Sequence, residues 1–186
     1  MKIFNLLVIY LLMSQLTFAQ EISEKDNTVE TKAILERQNE IRLGVIKLLG
    51  GPILEAGYEY VKNKNTGYGA YLFANFSKNE NDYPEDFSLT PFYRAYFKKN
   101  DEYGANGFFI EGFTSFFSGE NEINTENFEY DYESFFDISL GATIGYKWMN
   151  SSGFIIEIKA GAGRNLLNQS DLEALFKGDL YIGYRF

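Results

Sequence analysis

The chain lacks both cysteine and histidine, and these two absences exclude several classes of protein. Without cysteine there is no disulfide, no thiolate nucleophile and no lipid-modified cysteine. Without histidine there is no Ser-His-Asp triad and no histidine-built metal site. These absences exclude chemistry that depends on either residue, and we predict no catalytic residues, no metal site and no cofactor.

Basic residues are also scarce, since Lys and Arg number 17 against 26 Asp and Glu, which gives a formal net charge of -9. A nucleic-acid-binding protein carries a basic face, so we predict no nucleic-acid partner. Proline occurs three times, whereas aromatic residues make up 18% of the chain, with 18 Phe and 14 Tyr. Rings at this density favour a protein rich in β-strand.

The first 19 residues have the pattern of a Sec-type signal peptide. Lys2 supplies the positive start, the stretch 3–13 is almost wholly apolar, and Thr17 to Ala19 offer small residues at a cleavage site. The alternative is an anchor helix, but the apolar stretch is shorter than the roughly 20 residues that span a bilayer. Residues 20–39 are polar and charged, and we predict a periplasmic lead-in there. A first helix packed on the end of the following domain is the alternative.

Past Asn39 no apolar run approaches 18 residues, and apolar residues instead alternate with polar ones or glycine. Around Leu140, for example, Ile138 and Ala142 share one face, while Ser139 and Gly141 share the other. Because side chains of a strand alternate between its two faces, each such stretch has one apolar and one polar side. The pattern predicts a single domain over residues 40–186 with eight strands, at 40–49, 53–62, 66–76, 88–98, 106–117, 134–149, 153–163 and 177–186.

Alternation by itself fits two architectures. A soluble barrel or sandwich has its apolar face inside, whereas an outer-membrane barrel turns that face toward lipid and its polar face inward. The charges on the polar face favour the second, because six acids and five bases are close to balanced in an otherwise acidic chain. Charges in a narrow lumen are tolerated when they are paired. We predict a lumen ion-pair network of Arg42, Glu55, Glu59, Arg94, Glu111, Asp137, Lys147, Glu157, Lys159, Asp179 and Arg185.

Strand lengths and connections also favour the membrane architecture. Most predicted strands have about ten residues or more, as spanning strands need, and short joins alternate with long ones. If both termini are periplasmic, the longer joins lie outside the cell. The last strand ends in Ile182, Tyr184 and Phe186 on one face, which is typical of the signal read by the barrel-assembly machinery. One external join, 118–133, contains six acids and no base; we expect a solvated loop there, and a cation-binding patch is the alternative.

Four segments together resemble the small eight-stranded outer-membrane barrels of the OmpA, OmpX and OmpW-like superfamily, and within it a group of uncharacterised outer-membrane barrel proteins. They are LEAGYEY at 54–60, FYRAYF at 92–97, GFFIEGF at 107–113 and YRF at 184–186. The resemblance implies an all-β fold, namely an eight-stranded antiparallel up-and-down transmembrane β-barrel. It implies no activity, because such a family has no agreed catalytic residues. The superfamily's lipid A deacylases rely on a catalytic histidine, so the lack of histidine disfavours that activity in this chain.

We therefore expect a non-catalytic outer-membrane barrel, exported by the Sec route, with a charge-paired and plugged lumen. Its expected partners are outer-membrane lipid, the assembly machinery during biogenesis and an unidentified partner at the outer loops. One alternative is an OmpW-like binder or conduit for small hydrophobic molecules, with Phe73, Phe92, Phe109 and Phe113 lining the lumen. The other is a secreted soluble barrel of the lipocalin type, which requires the apolar stripes of the last three strands to face inward.

Overall fold

The computed structural model of the chain describes residues 36–76, 85–97, 104–124, 130–170 and 173–186, with backbone alone at 122–124 and 130–132. The predicted signal peptide and most of the predicted lead-in lie outside these residues. Among the described residues, no helix is long and apolar enough to cross a membrane. The strands are β1 Asn39–Gly44, β2 Ile53–Asn63, β3 Thr66–Asn75, β4 Phe87–Phe97, β5 Gly107–Asn124, β6 Tyr130–Met149, β7 Phe154–Asn165 and β8 Ala174–Arg185, and the helix α1 is Ile46–Gly50.

The eight strands form one closed antiparallel barrel in which every strand pairs with its neighbours in sequence. β1 closes the barrel by pairing with β8, in a register that places Glu40 opposite Arg185 and Leu43 opposite Ile182. Closure removes the free edges that an open sheet would expose. The predicted all-β, eight-stranded, up-and-down architecture is thus confirmed.

The barrel has two distinct ends. At the proximal end the chain enters at Asn39 and leaves at Arg185, and the joins after β2, β4 and β6 lie there. The distal end carries the joins after β1, β3, β5 and β7. Two residues of the predicted lead-in are held against the proximal end. The Val61 amide donates to the Gln38 carbonyl at 2.7 Å, and the Arg37 guanidinium donates to the Ser152 carbonyl at 3.1 Å.

The first strand is shorter than predicted, because the chain leaves the sheet after Gly44 and forms α1 instead of continuing to residue 49. The Asp179 carboxylate on β8 accepts hydrogen bonds from the amides of Ile46 at 2.8 Å and Lys47 at 3.4 Å. These are amides of the first helical turn, which lack partners within the helix. Strand alternation would have turned Lys47 outward with Leu43, whereas the helix buries it and exposes Ile46.

Most of the predicted acidic loop 118–133 is instead strand. β5 and β6 continue past the rim of the barrel as a paired hairpin. The added ladder runs from the pair Gly119 and Phe135 to the pair Asn124 and Tyr130. Of the predicted loop, only residues 125–129 lie outside the described residues. The register explains how so acidic a hairpin forms. Each acid of the paired region faces a neutral residue across the ladder, and like charges directly opposite would be destabilising. The facing pairs are Glu120 with Ser134, Asn121 with Glu133, Glu122 with Tyr132, and Ile123 with Asp131.

The two faces of the wall are sharply different. Large apolar side chains point outward and are exposed, for example Ile144 at 57% and Ile158 at 48%. The side chains that alternate with them point inward and are buried, and most carry charge or hydroxyl groups. The soluble lipocalin-like alternative is therefore wrong, because it required Ile156 and Ile158 to lie at the centre.

Glycine on the inner face makes room for large neighbours. A Cβ at Gly57 would lie 2.4 Å from the Tyr71 ring, whereas a Cβ at Gly112 would meet nothing within 4 Å. Tyr71 is almost fully buried and faces Gly57 directly across the β2–β3 ladder. The absence of a side chain at residue 57 therefore lets the ring lie against the wall.

We predict that Gly57→Ala lowers the free energy of unfolding by about 1–3 kcal/mol, the range typical of overpacking a filled interior. Gly112→Ala, the matched control, should be neutral or stabilise by up to about 1 kcal/mol, because it only restricts the unfolded chain. Urea unfolding of the detergent-folded variants measures both. Equal changes in the free energy of unfolding at the two sites would show that the contact with Tyr71 is not what makes Gly57→Ala destabilising.

Candidate functional site: a charge-paired barrel interior

Charged side chains fill much of the barrel interior. Among the described residues, eight carboxylates and seven cations are buried, so the interior is close to neutral although the chain is acidic. Isolated buried charges are strongly unfavourable, and such a set is tolerated only where the charges pair. The carboxylates are those of Glu40, Glu55, Glu59, Glu85, Glu111, Asp137, Glu157 and Asp179, and the cations are those of Arg42, Lys47, Arg94, Lys147, Lys159, Lys177 and Arg185.

Arg94 on β4 occupies the middle of this network. Its guanidinium lies 3.2 Å from a Glu59 oxygen, 2.5 Å from a Glu111 oxygen and 2.7 Å from a Glu157 oxygen. These three carboxylates belong to β2, β5 and β7, so one side chain joins four of the eight strands. The same guanidinium donates to the Tyr71 hydroxyl at 3.0 Å. The planar fork of arginine suits such multiple contacts better than the ammonium of lysine.

Glu40 on β1 gathers the cations nearer the proximal end. Its carboxylate lies 2.9 Å from the Lys147 Nζ and 2.5 Å from an Arg185 nitrogen, and it also pairs with Arg42. Lys147 is on β6, which lies across the barrel from β1. The pair therefore spans the interior rather than joining neighbouring strands.

Both oxygens of each central carboxylate are engaged. In Glu111, one oxygen accepts from Lys159 at 2.9 Å and from the Thr143 hydroxyl at 3.1 Å, while the other accepts from Arg94. Glu157 is held by Arg94 through both oxygens, and the Tyr71 hydroxyl donates to it at 3.4 Å. A carboxylate in this state has no vacant position for a substrate proton. The arrangement is suited to joining strands.

Two further ion pairs lie toward the distal end. Lys47 of α1 pairs with Glu55 of β2, and Lys177 of β8 lies 2.5 Å from a Glu85 oxygen. Lys177 also donates to the Ser88 hydroxyl at 3.1 Å. The interior is thus bridged at several heights along its axis.

The carboxylates of Asp137 and Asp179 accept hydrogen bonds from backbone amides. Asp179 supports α1, and the Asp137 carboxylate accepts from the amides of Leu167 and Gln169, both at 3.0 Å, in the join between β7 and β8. The two acids therefore position connections at the distal end, in place of the lumen pairing predicted from the alternation.

Aromatic rings fill the space between the charges. The four phenylalanines predicted to line the lumen are all buried. The guanidinium carbon of Arg94 lies over the Phe109 ring, 3.8 Å from the centroid of that ring. Phe92 packs on Tyr71, with the two ring centroids 5.0 Å apart. The Lys159 Nζ lies 3.5 Å from the Tyr71 ring centroid. These rings pack within the ionic network, which disfavours a conduit lined by rings.

The structure buries all eleven residues predicted for the lumen and brings nine of them into ion pairs within 4 Å, the exceptions being Asp137 and Asp179. Sequence reasoning missed Glu40, Lys47, Glu85 and Lys177. Glu40 and Lys177 have the same parity as Arg42 and Asp179 on their strands, so the alternation contained the signal for both. Glu85 precedes β4, and Lys47 lies on a helix, where a period of two gives no signal. Among the described residues, no group of three or more Asp or Glu side chains is arranged to hold a metal ion.

No protein-family model matches the chain, and no curated protein sequence matches it. A comparison of folds does give a match. The crystal structure of the N-terminal β-barrel domain of OprF from Pseudomonas aeruginosa superposes with a TM-score of 0.52, covering 81% of this chain and 98% of that domain. The two chains share a fold. At 11% sequence identity the likeness concerns the fold alone, and it confirms at that level the resemblance to small eight-stranded barrels predicted from the sequence.

Proposed function

We propose that this protein is a non-catalytic outer-membrane β-barrel whose lumen is plugged by ion pairs and whose distal joins form an external surface. The observation that carries the proposal is the distribution of side chains, with apolar residues outside and paired charges inside. This arrangement is the reverse of that in a water-soluble protein, and it suits a barrel surrounded by hydrocarbon. The closed sheet also satisfies the backbone without water.

Rings on the outer wall support a membrane position. Tyr58, Tyr146, Trp148 and Tyr184 are all more than 40% exposed and lie in the proximal half of the barrel. Tyrosine and tryptophan prefer the boundary between membrane and water, because their rings are apolar and their polar atoms reach water. The proximal end would therefore lie at a membrane–water boundary. The short joins after β2 and β6 at this end place it on the periplasmic side in this proposal, with the acidic hairpin on the outside.

The plugged lumen is supported by the contacts that cross it. The pairs of Arg94 with Glu157 and of Glu40 with Lys147 link strands that are not neighbours, with rings between them. An eight-stranded barrel encloses little more than its own side chains. The small diameter and the pairing together support a plugged lumen.

The C-terminal strand suits a client of the barrel-assembly machinery. Tyr184 and Phe186 are exposed on the outer face, and Ile182 has the same parity. In this proposal the three side chains present the recognition signal during biogenesis. After insertion, the acidic hairpin of β5 and β6 binds an external partner.

Export of the full chain in a Gram-negative host tests the proposal. We expect the protein in the outer-membrane fraction, beginning at Gln20 after removal of the signal peptide, and a change in gel mobility when the folded sample is boiled. In planar bilayers, the purified protein should give no conductance steps. A protein that is soluble and monomeric without detergent would contradict the membrane position. Steady ion conductance from an inserted protein would contradict only the plug.

A further inference from the structure

The outer wall has a groove across β8, β1, β2 and β3, with a volume of about 730 Å³. The alternation of side-chain size produces it. Ala56 lies in the ladder between Leu43 and Leu72, so a small side chain is flanked by two large ones. Ala70 likewise lies beside Tyr58. The volume is within the range of about 300–1,000 Å³ that is usual for ligand sites.

One end of the groove is polar. Two of its lining residues, Tyr58 and Tyr184, reach polar side chains at the start of β1 and just before it. The Tyr58 hydroxyl donates to the Asn39 side-chain oxygen at 2.7 Å, and the Arg37 guanidinium donates to the Tyr184 hydroxyl at 3.3 Å. Both contacts belong to the proximal end of the barrel, where the exposed tyrosines lie.

Arg37 is half-exposed and carries its charge at this polar end without a neutralising carboxylate, since none of the described carboxylates forms an ion pair with it. Its contacts with Ser152 and Tyr184 both use Nη1. Within the described part of the chain, no hydrogen bond uses Nε or Nη2 of Arg37. A guanidinium binds phosphate oxygens through two parallel hydrogen bonds, and these two nitrogens are placed to form them.

We propose that this groove binds one anionic phospholipid, with an acyl chain against Ala56 and Ala70 and the phosphate at Arg37. The proposal rests on the membrane position proposed above, because the groove then opens into hydrocarbon and its polar end lies at the periplasmic boundary. The alternation of Leu43, Ala56 and Leu72 supplies a hollow for the chain, and the uncompensated guanidinium selects a negative headgroup. A second copy of the protein fits less well, because a contact with two-fold symmetry would place the groove of one copy against the same groove of the other and leave both unfilled.

Native mass spectrometry of the protein folded in detergent tests this site, with phosphatidylglycerol, phosphatidylcholine and phosphatidylethanolamine added separately. We expect one tightly retained phosphatidylglycerol on the wild type. Arg37→Gln should lower that retention about tenfold relative to phosphatidylcholine, which is the loss of one charge-assisted contact. Ala56→Leu, which fills the hollow, should lower the retention of all three lipids.

Two matched variants serve as controls. Ala160→Leu changes an exposed alanine of the outer wall outside the groove, and Arg164→Gln removes an exposed arginine of β7. Both should retain phosphatidylglycerol as the wild type does. The shift in gel mobility shows that each variant is folded, so a wild type that never inserts would overturn the proposed function rather than this site alone. Equal retention by Arg37→Gln, Ala56→Leu and the wild type, or a dimer with no bound lipid, would overturn the lipid site.

Discussion

Arg94→Met should lower the free energy of unfolding by about 3–5 kcal/mol, which is the usual effect of removing one partner from a buried ion pair. Three carboxylates, those of Glu59, Glu111 and Glu157, would lose a cation at once. Methionine keeps much of the side-chain length, so the loss reports charge more than volume. Urea unfolding in detergent micelles, followed by the fluorescence of Trp148, measures the change.

Two further variants test whether the loss of stability depends on the buried position of the charge. Arg164→Met removes an exposed arginine from β7 and should change stability by no more than about 0.5 kcal/mol. Adding Glu157→Gln to Arg94→Met removes one of the three carboxylates that have lost this cation and should recover part of the loss; the recovery is partial because Arg42 still pairs with Glu157. If Arg94→Met and Arg164→Met changed the free energy of unfolding equally, the ion pairs of Arg94 would contribute little to stability. Arg94 would then not be the residue that holds the proposed plug together.

Ile144→Arg should prevent or strongly weaken insertion into lipid vesicles, by about 2–4 kcal/mol if the barrel spans the bilayer. Ile144 is 57% exposed on the outer wall and lies midway along the part of β6 that pairs with β7. A guanidinium there would replace an apolar contact with hydrocarbon. The fraction that refolds into vesicles, read from gel mobility without boiling, gives the free-energy change across a urea series.

Ser134→Arg is the matched control, because it is on the same strand and the same face but ten residues nearer the distal end. That separation is roughly 33 Å along the strand at about 3.3 Å per residue, so the new charge lies outside the apolar band. We expect refolding equal to that of the wild type. In a water-soluble barrel both substitutions would be harmless, so a fully folded Ile144→Arg protein in vesicles would argue against the bilayer position.

The strand pattern was readable because a period of two is a local property of the sequence. In β7, Ile156 and Ile158 alternate with Glu157 and Lys159, and the structure turns the two sets to opposite faces. The same alternation placed Arg94 and Glu111 inside. It could not show that Arg94 also reaches Glu157, because that contact depends on how the sheet closes.

Departures from the pattern arose where distant residues intervened. Asp179 lies 133 positions beyond Ile46, yet its carboxylate supports the helix that ends β1 early and carries Lys47 inward. The acidic hairpin provides a second case. Its composition suggested a loop, whereas the pairing register keeps each acid of the ladder opposite a neutral residue.

The sequence by itself determined the number of strands and the two-sided character of the wall, because both follow from neighbouring residues along one chain. Tertiary structure alone decided which charges meet, where β1 gives way to a helix, and that small side chains on adjacent strands create a groove. Each of these depends on the register between strands and on the closure of β1 onto β8, which bring together residues as far apart as Glu40 and Arg185.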